Sequence, residues 1–113
     1  MRWLIRSKIF KATVTEADIN YKGSITIDEE LIDKAGFFIG EKALVVSNTT
    51  GERLETYIIA GKRNSGMICM NGAAAHVIKK GEEIIVMGFE LTDKPIEPRI
   101  ALVDKNNKFT GYL

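Results

Sequence analysis

Residues 39–61 read IGEKALVVSNTTGERLETYIIAG. An apolar run, a polar break at NTTG (48–51) and a second β-branched and aromatic run make the pattern of a β-hairpin. Neither arm is long enough for a helix of ordinary length, and the break carries turn residues with a closing glycine. Whatever else the chain does, it has to be organised around short paired strands.

Working back from the hairpin, SITIDEELIDKAG (24–36) holds a short strand and then a short helix. Asp28 is placed to cap the first turn, Leu31, Ile32 and Ala35 share one face, and Gly36 supplies the stop. Further back, KIFKATVT (8–15) is β-branched and partly alternating, which predicts a strand, and EADINYKG (16–23) predicts a turn. Forward of the hairpin, GMICM (66–70) predicts a strand and NGAAAH (71–76) either a turn or one turn of helix. KKGEE (79–83) is a turn, IIVMGFEL (84–91) a strand, TDKPIEPR (92–99) a loop, and RIALVD (99–104) a last strand before KNNKF (105–109). About seven short strands with one or two short helices favour a small closed β-barrel, since closure removes exposed edges.

Length and composition agree with one globular domain spanning residues 1–113. Apolar residues make up 45% and charged residues 27%, with no linker, repeat or low-complexity tract. A net charge of +1 gives no field that argues for nucleic acid or an anionic membrane. MRWLIRSKIFK (1–11) carries Arg2, Arg6 and Lys8, and holds no apolar stretch long enough for a signal-peptide core or a membrane span. The single cysteine, Cys69, has no partner for an internal disulfide, which points to a reducing, cytoplasmic setting.

Few residues are candidates for chemistry. One histidine, His76, one cysteine and no clustered carboxylates give no metal site, and neither a P-loop nor a dinucleotide glycine pattern is present. Arg53, Thr56 and Tyr57 stand in GERLETYII, where a solvated arginine and an amphipathic tyrosine on a hairpin are the plainer account of them. NGAAAH reads as an Asn-Gly turn or as a floor without bulky side chains, whose backbone N–H groups a small anion can approach. Lys8 alone is a solvated strand lysine. Gly23-Ser24 is an ordinary turn pair, or a bond in which the serine hydroxyl attacks the unshielded carbonyl of the glycine before it. Composition does not choose between these.

Three stretches taken together do. SKIFKATVTEADINYKGSITID (7–28), NTTGERLETYIIAG (48–61) and NGAAAH (71–76), in this order and spacing, resemble the pyruvoyl-dependent aspartate 1-decarboxylases of bacteria. The resemblance runs from about Ser7 to about Val103 and is loose after Pro95. It implies a double-psi β-barrel assembled as a homotetramer. It implies self-cleavage between Gly23 and Ser24 into an N-terminal β chain, 1–23, and an α chain, 24–113, whose Ser24 becomes a covalent pyruvoyl group. No metal and no pyridoxal phosphate are then needed. The pyruvoyl ketone would form a Schiff base with L-aspartate and accept the electrons released with carbon dioxide, giving β-alanine for pantothenate and coenzyme A.

By the same resemblance Tyr57 protonates the carbanion. Lys8 and Arg53 pair with the substrate carboxylates, and Thr56, Asn71, Gly72, Ala73 and Ala74 line the substrate pocket. Thr56 also polarises the Gly23 carbonyl during cleavage, and Tyr21 lies near the site. A helper protein for maturation is left open. Phe10 stands where many members have histidine, and Val46 where some have tryptophan.

ITIDEELIDKAGFFIGEKALVV (25–46) also looks like the strand-helix-strand unit of swapped-hairpin DNA-binding regulators, a non-catalytic class. The near-neutral charge argues against it, and GERLETY and NGAAA would have no use there. A barrel relative without activity is the remaining alternative.

Overall fold

The computed structural model describes all residues 1–113. Its strands are β1 (Arg2–Thr13), β2 (Glu16–Asp18), β3 (Ser24–Asp28), β4 (Lys42–Ser47), β5 (Arg53–Gly61), β6 (Ile68–Asn71), β7 (Glu83–Thr92), β8 (Arg99–Val103) and β9 (Phe109–Tyr112). Two short helices, α1 (Glu29–Ala35) and α2 (Ala74–Val77), interrupt them. The mainly β class expected from the sequence is what the chain adopts.

The hairpin at 39–61 forms as read, with Lys42 opposite Tyr57 and Val46 opposite Arg53. Gly51 takes φ +83° in its turn, where a side chain would be strained. Helix α1 also starts and stops where its caps place it. The Asp28 carboxylate accepts from the N–H of Glu30 at 2.9 Å, and Gly36 is left-handed at φ +81°. The Asp28 carboxylate further accepts from the N–H groups of Asn64 (2.9 Å) and Gly66 (2.8 Å), so one buried side chain ties α1 to the entry of β6.

Two strands go beyond the expected seven. Glu16–Asp18, expected as a turn, pairs in parallel with Cys69–Asn71, and Phe109–Tyr112 pairs antiparallel with β8. Strands of three and four residues are too short to show an alternation. They exist because a neighbouring backbone offers hydrogen bonds. β1 also begins at Arg2 rather than Lys8, since its first half pairs with the second half of β7. The stretch 71–76 resolves into an Asn71-Gly72 turn followed by the single helical turn of α2.

The hydrogen-bonded order is β2-β6-β3-β5-β4-β7-β1-β8-β9, and no ladder joins the two ends. The chain itself carries β2, at one end, back to β1 near the other, because β1 runs almost directly into β2. At that link Val14 N–H donates to Glu82 O (3.0 Å) and Thr15 N–H to Ile68 O (2.8 Å). Register shifts at Ile5/Ser7 and Ile9/Ala12, with Lys11 at φ +62°, bend β1 across the sheet.

The core forms where the inward faces meet. Ile9, Ile25, Ile27, Ile58, Ile68, Met70, Ile84 and Val86 are fully enclosed, with Leu31 and Ile32 of α1 packed among them. Full burial of each such side chain contributes about 1.5–3 kcal/mol. β3, between β5 and β6, has apolar Ile25 and Ile27 at its centre and a buried polar residue at either end. Asp28 closes one end structurally. Ser24 opens the other.

Candidate active site

Alternation sets the site. Ile25 of β3 and Met70 of β6 are cross-strand partners that turn into the core, so Ser24 and Asn71, partners one step along, turn to the other face. Thr26 and Cys69 are partners on that same face. Four small polar side chains therefore meet on two adjacent strands.

Ser24 is 0% exposed, Asn71 2% and Cys69 6%, so bulk water does not reach them. The Asn71 side-chain amide donates both of its N–H bonds, to Ser24 Oγ at 2.9 Å and to Thr26 Oγ1 at 2.8 Å. Ser24 Oγ in turn donates to the carbonyl of Lys22 at 3.0 Å. The Cys69 thiol donates to Asn71 Oδ1 at 3.0 Å and stands 3.8 Å from the Met70 carbonyl. Burial first, and the carboxylates of Glu16 and Asp18 after it, push the Cys69 thiol above its ordinary value of 9.0, so it stays protonated at neutral pH.

The backbone at the next position packs against Gly23. Gly72 takes φ +65°, and its N–H donates to Asp18 O at 2.8 Å. A Cβ there would lie 2.8 Å from both Gly23 Cα and Gly23 N, and 2.9 Å from Tyr21 O. At Gly23 itself a Cβ would meet nothing within 4 Å. Past Gly72, no hydrogen bond in the chain is donated by the N–H of Ala73 or Ala74.

The other expected residues are placed as follows. The parallel ladder of β3 and β5 opens with Ile25 beside Ile58, so the residues before them, Ser24 and Tyr57, stand at the same end of it. Tyr57 is 41% exposed, and its hydroxyl bonds to no protein group. Thr56, half-buried, makes no hydrogen bond to Gly23 or Ser24. Arg53 is exposed on β5 and makes no ion pair. Lys8 is half-buried on β1, four strands from β3 in the order, and also makes no ion pair. Its ammonium lies 5.3 Å from the ring centre of Phe10, which Lys11 approaches at 5.2 Å.

Contacts thus unite Tyr21, Gly23, Ser24, Asn71 and Gly72, but not Lys8, Arg53 or Thr56. Cys69 and Thr26 belong to the cluster and went unread in the sequence. The available signal was their place two residues from Asn71 and Ser24, on the same faces. Two hollows, each of about 450 Å³, lie elsewhere. One is bounded by Trp3, Glu41, Lys42, Leu44, Glu55 and Phe89, and reaches Tyr57 only through its cross-strand partner Lys42.

Fold and cluster define a small mainly β domain with a polar network built around a buried serine and the glycine bond before it. A family model described as aspartate decarboxylase matches residues 1–110. An aspartate 1-decarboxylase of Neisseria meningitidis is 51% identical, over 99% of this chain and 91% of that protein. One of Bacillus subtilis is 48% identical over the same shares, and one of Caldicellulosiruptor saccharolyticus 51% over 93% and 85%. The chain belongs to the aspartate decarboxylase family.

Proposed function

We propose that this protein removes the C1 carboxylate of L-aspartate to give β-alanine, and that it does so with a pyruvoyl group made from Ser24 by self-cleavage. The observation that carries this is the buried Ser24 hydroxyl. It is held by the Asn71 amide directly after Gly23, with the Gly72 backbone packed against that glycine.

The cleavage balances on the chain's own atoms. Ser24 Oγ bonds to the Gly23 carbonyl carbon, the peptide C–N bond breaks, and the hydroxyl proton passes to the Ser24 nitrogen, leaving an ester. Loss of the Ser24 Cα proton then breaks the Cβ–Oγ bond and frees Gly23 as a carboxylate. Water adds at Cα, ammonia leaves, and a ketone remains.

A pyruvoyl group supplies an electron sink for the pair left behind by carbon dioxide. The buried polar cluster of Ser24, Thr26 and Asn71 suits such a group, and Asn71 offers it a donor. Lys8 and Arg53, free of carboxylate partners within the chain, are available to the two carboxylates of aspartate, Arg53 in a forked pair. The unpaired N–H groups of Ala73 and Ala74 extend the substrate floor, and Thr56 supports the Gly23 carbonyl during cleavage. The Tyr57 hydroxyl, bonded to no protein group, delivers the proton to the carbon that loses carbon dioxide.

The barrel reading draws support from the covalent passage of β1 into β2, which returns the sheet to β6. A homotetramer draws support from exposed Trp3, Ile19, Tyr21, Phe38 and Ile39. No helix is long and apolar enough to cross a membrane. A cytoplasmic place in pantothenate synthesis completes the proposal.

An intact-mass spectrum of the purified protein, with assay of β-alanine from aspartate, tests it. The expected result is fragments of 23 and 90 residues, the larger carrying a ketone in place of its terminal amine, and no cleavage or activity in Ser24→Ala. A wild-type chain that stays whole yet decarboxylates aspartate, or a 90-residue piece with a free serine amine, refutes the pyruvoyl route.

A further inference from the structure

Cys69 takes no part in the chemistry set out above, yet it bonds to the residue that holds Ser24. We propose that Cys69 is a positioning residue for self-cleavage: its thiol proton fixes the Asn71 amide with the NH2 group toward Ser24 Oγ. The inference rests on the self-cleavage reading and adds to it the group that sets the direction of the hydrogen bonds.

A buried amide beside two hydroxyls has two workable orientations. Facing them with its NH2, it donates to both, as seen at Ser24 and Thr26. Facing them with its oxygen, it would accept from both. Hydroxyl groups rotate to suit either and do not decide. The decision falls to whatever stands behind the amide, and behind Asn71 stands the Cys69 sulfur at 3.0 Å. A thiol is a donor to oxygen and a poor acceptor from nitrogen, so it favours the oxygen on its own side. The protonated state of this thiol keeps the donor in place.

The orientation matters to the nucleophile. With the NH2 forward, Ser24 Oγ is pinned by a donated hydrogen bond, and its own proton points to the Lys22 carbonyl. One lone pair is held and the other is left for the Gly23 carbonyl carbon. With the amide reversed, Ser24 would spend its proton on Asn71 Oδ1, and nothing would hold its lone pairs.

The test is the rate of cutting in full-length chains made by cell-free synthesis and sampled by intact mass. Wild type is compared with Cys69→Ser, Cys69→Val and Cys69→Ala, with melting temperatures of all four. A donor role and a packing role predict opposite orders. If Cys69 acts by donating, serine cuts as fast as wild type, while valine and alanine are about 3- to 10-fold slower, the worth of one modest hydrogen bond. If Cys69 only fills space, valine matches wild type and serine falls with alanine; that order overturns the inference. So does equal cutting in all four. A wild-type chain that never cuts brings down the self-cleavage reading itself, and the inference with it, which is distinguishable from equal cutting in all four.

Discussion

Gly72 and Gly23 lie against each other, but the structure predicts opposite tolerance to a methyl group. Both substitutions are best made in Ser24→Ala, which keeps the chain in one piece and its unfolding reversible. In Gly72→Ala the residue must hold φ +65°, which costs about 1–2 kcal/mol for an L side chain. The new Cβ also meets Gly23 Cα and N at 2.8 Å and Tyr21 O at 2.9 Å. These are backbone atoms that cannot swing aside, and overpacking of this kind adds about 1–3 kcal/mol. The expected loss is therefore about 2–5 kcal/mol out of a domain stability of roughly 5–15. Gly23→Ala meets nothing within 4 Å and needs no positive φ, so it stays within about 1 kcal/mol of its parent. Urea unfolding followed by circular dichroism reads both, and with slopes of about 1–3 kcal/mol/M the Gly72 variant shifts its midpoint by about 0.7–5 M. Equal losses in the two variants, or a Gly72→Ala chain as stable as its parent, would show that the two segments are not packed as described. With Ser24 restored, Gly72→Ala should also cut slowly, since its methyl displaces Gly23, the residue whose carbonyl is attacked.

Tyr57→Phe keeps the ring and removes only the hydroxyl; it is expected to cut normally and to turn over aspartate on the order of 10²-fold more slowly, measured as β-alanine released. Uncut Tyr57→Phe would instead move the residue into maturation. Arg53→Ala is expected to lower kcat/KM by about 10- to 100-fold while leaving cutting intact, because charge-assisted bonds to a substrate carboxylate are worth about 1.5–3 kcal/mol; unchanged kinetics would remove Arg53 from the site. The raised pKa of Cys69 makes an alkaline prediction. The unfolded thiol ionises near its ordinary value while the folded one still holds its proton, so its stabilisation is complete below about pH 9 and is lost as pH rises through the folded value. In Ser24→Ala, melting temperature should therefore fall more steeply above about pH 9 with Cys69 than with Cys69→Ser, and parallel curves would refute the assignment.

The hairpin and α1 were legible because their signals are local. A turn glycine, an Asp28 cap and a Gly36 stop act within a few residues, and the structure uses each as expected. β2 was not legible, since Glu16–Asp18 becomes a strand only when Cys69–Asn71 comes alongside. The site divides in the same way. Gly23, Ser24, Asn71 and Gly72 stood out as turn-forming pairs, yet only the β3–β6 register puts the two pairs in contact. Cys69 carries no such local signal, because a lone thiol in a sequence speaks only to disulfides and metals, while its use here depends on alternation along β6. Lys8 and Arg53 were named by resemblance. Their strands place them on β1 and β5 with no contact to Ser24, and no local pattern could have said more.

β1 is not a peripheral strand. It lies between β7 and β8, and Thr13 at its end exchanges hydrogen bonds with Asn107. A break after Gly23 would therefore leave residues 1–23 threaded through the body of the molecule rather than release them. What changes is the return from the unfolded state. An uncut chain refolds as one molecule, its segments tethered at an effective concentration of roughly millimolar. A cut one must bring two molecules together at whatever dilution surrounds them. Each heating cycle would then be nearly reversible before the break and largely one-way after it, so the mature protein would owe its lifetime to slow unfolding rather than to repeated refolding.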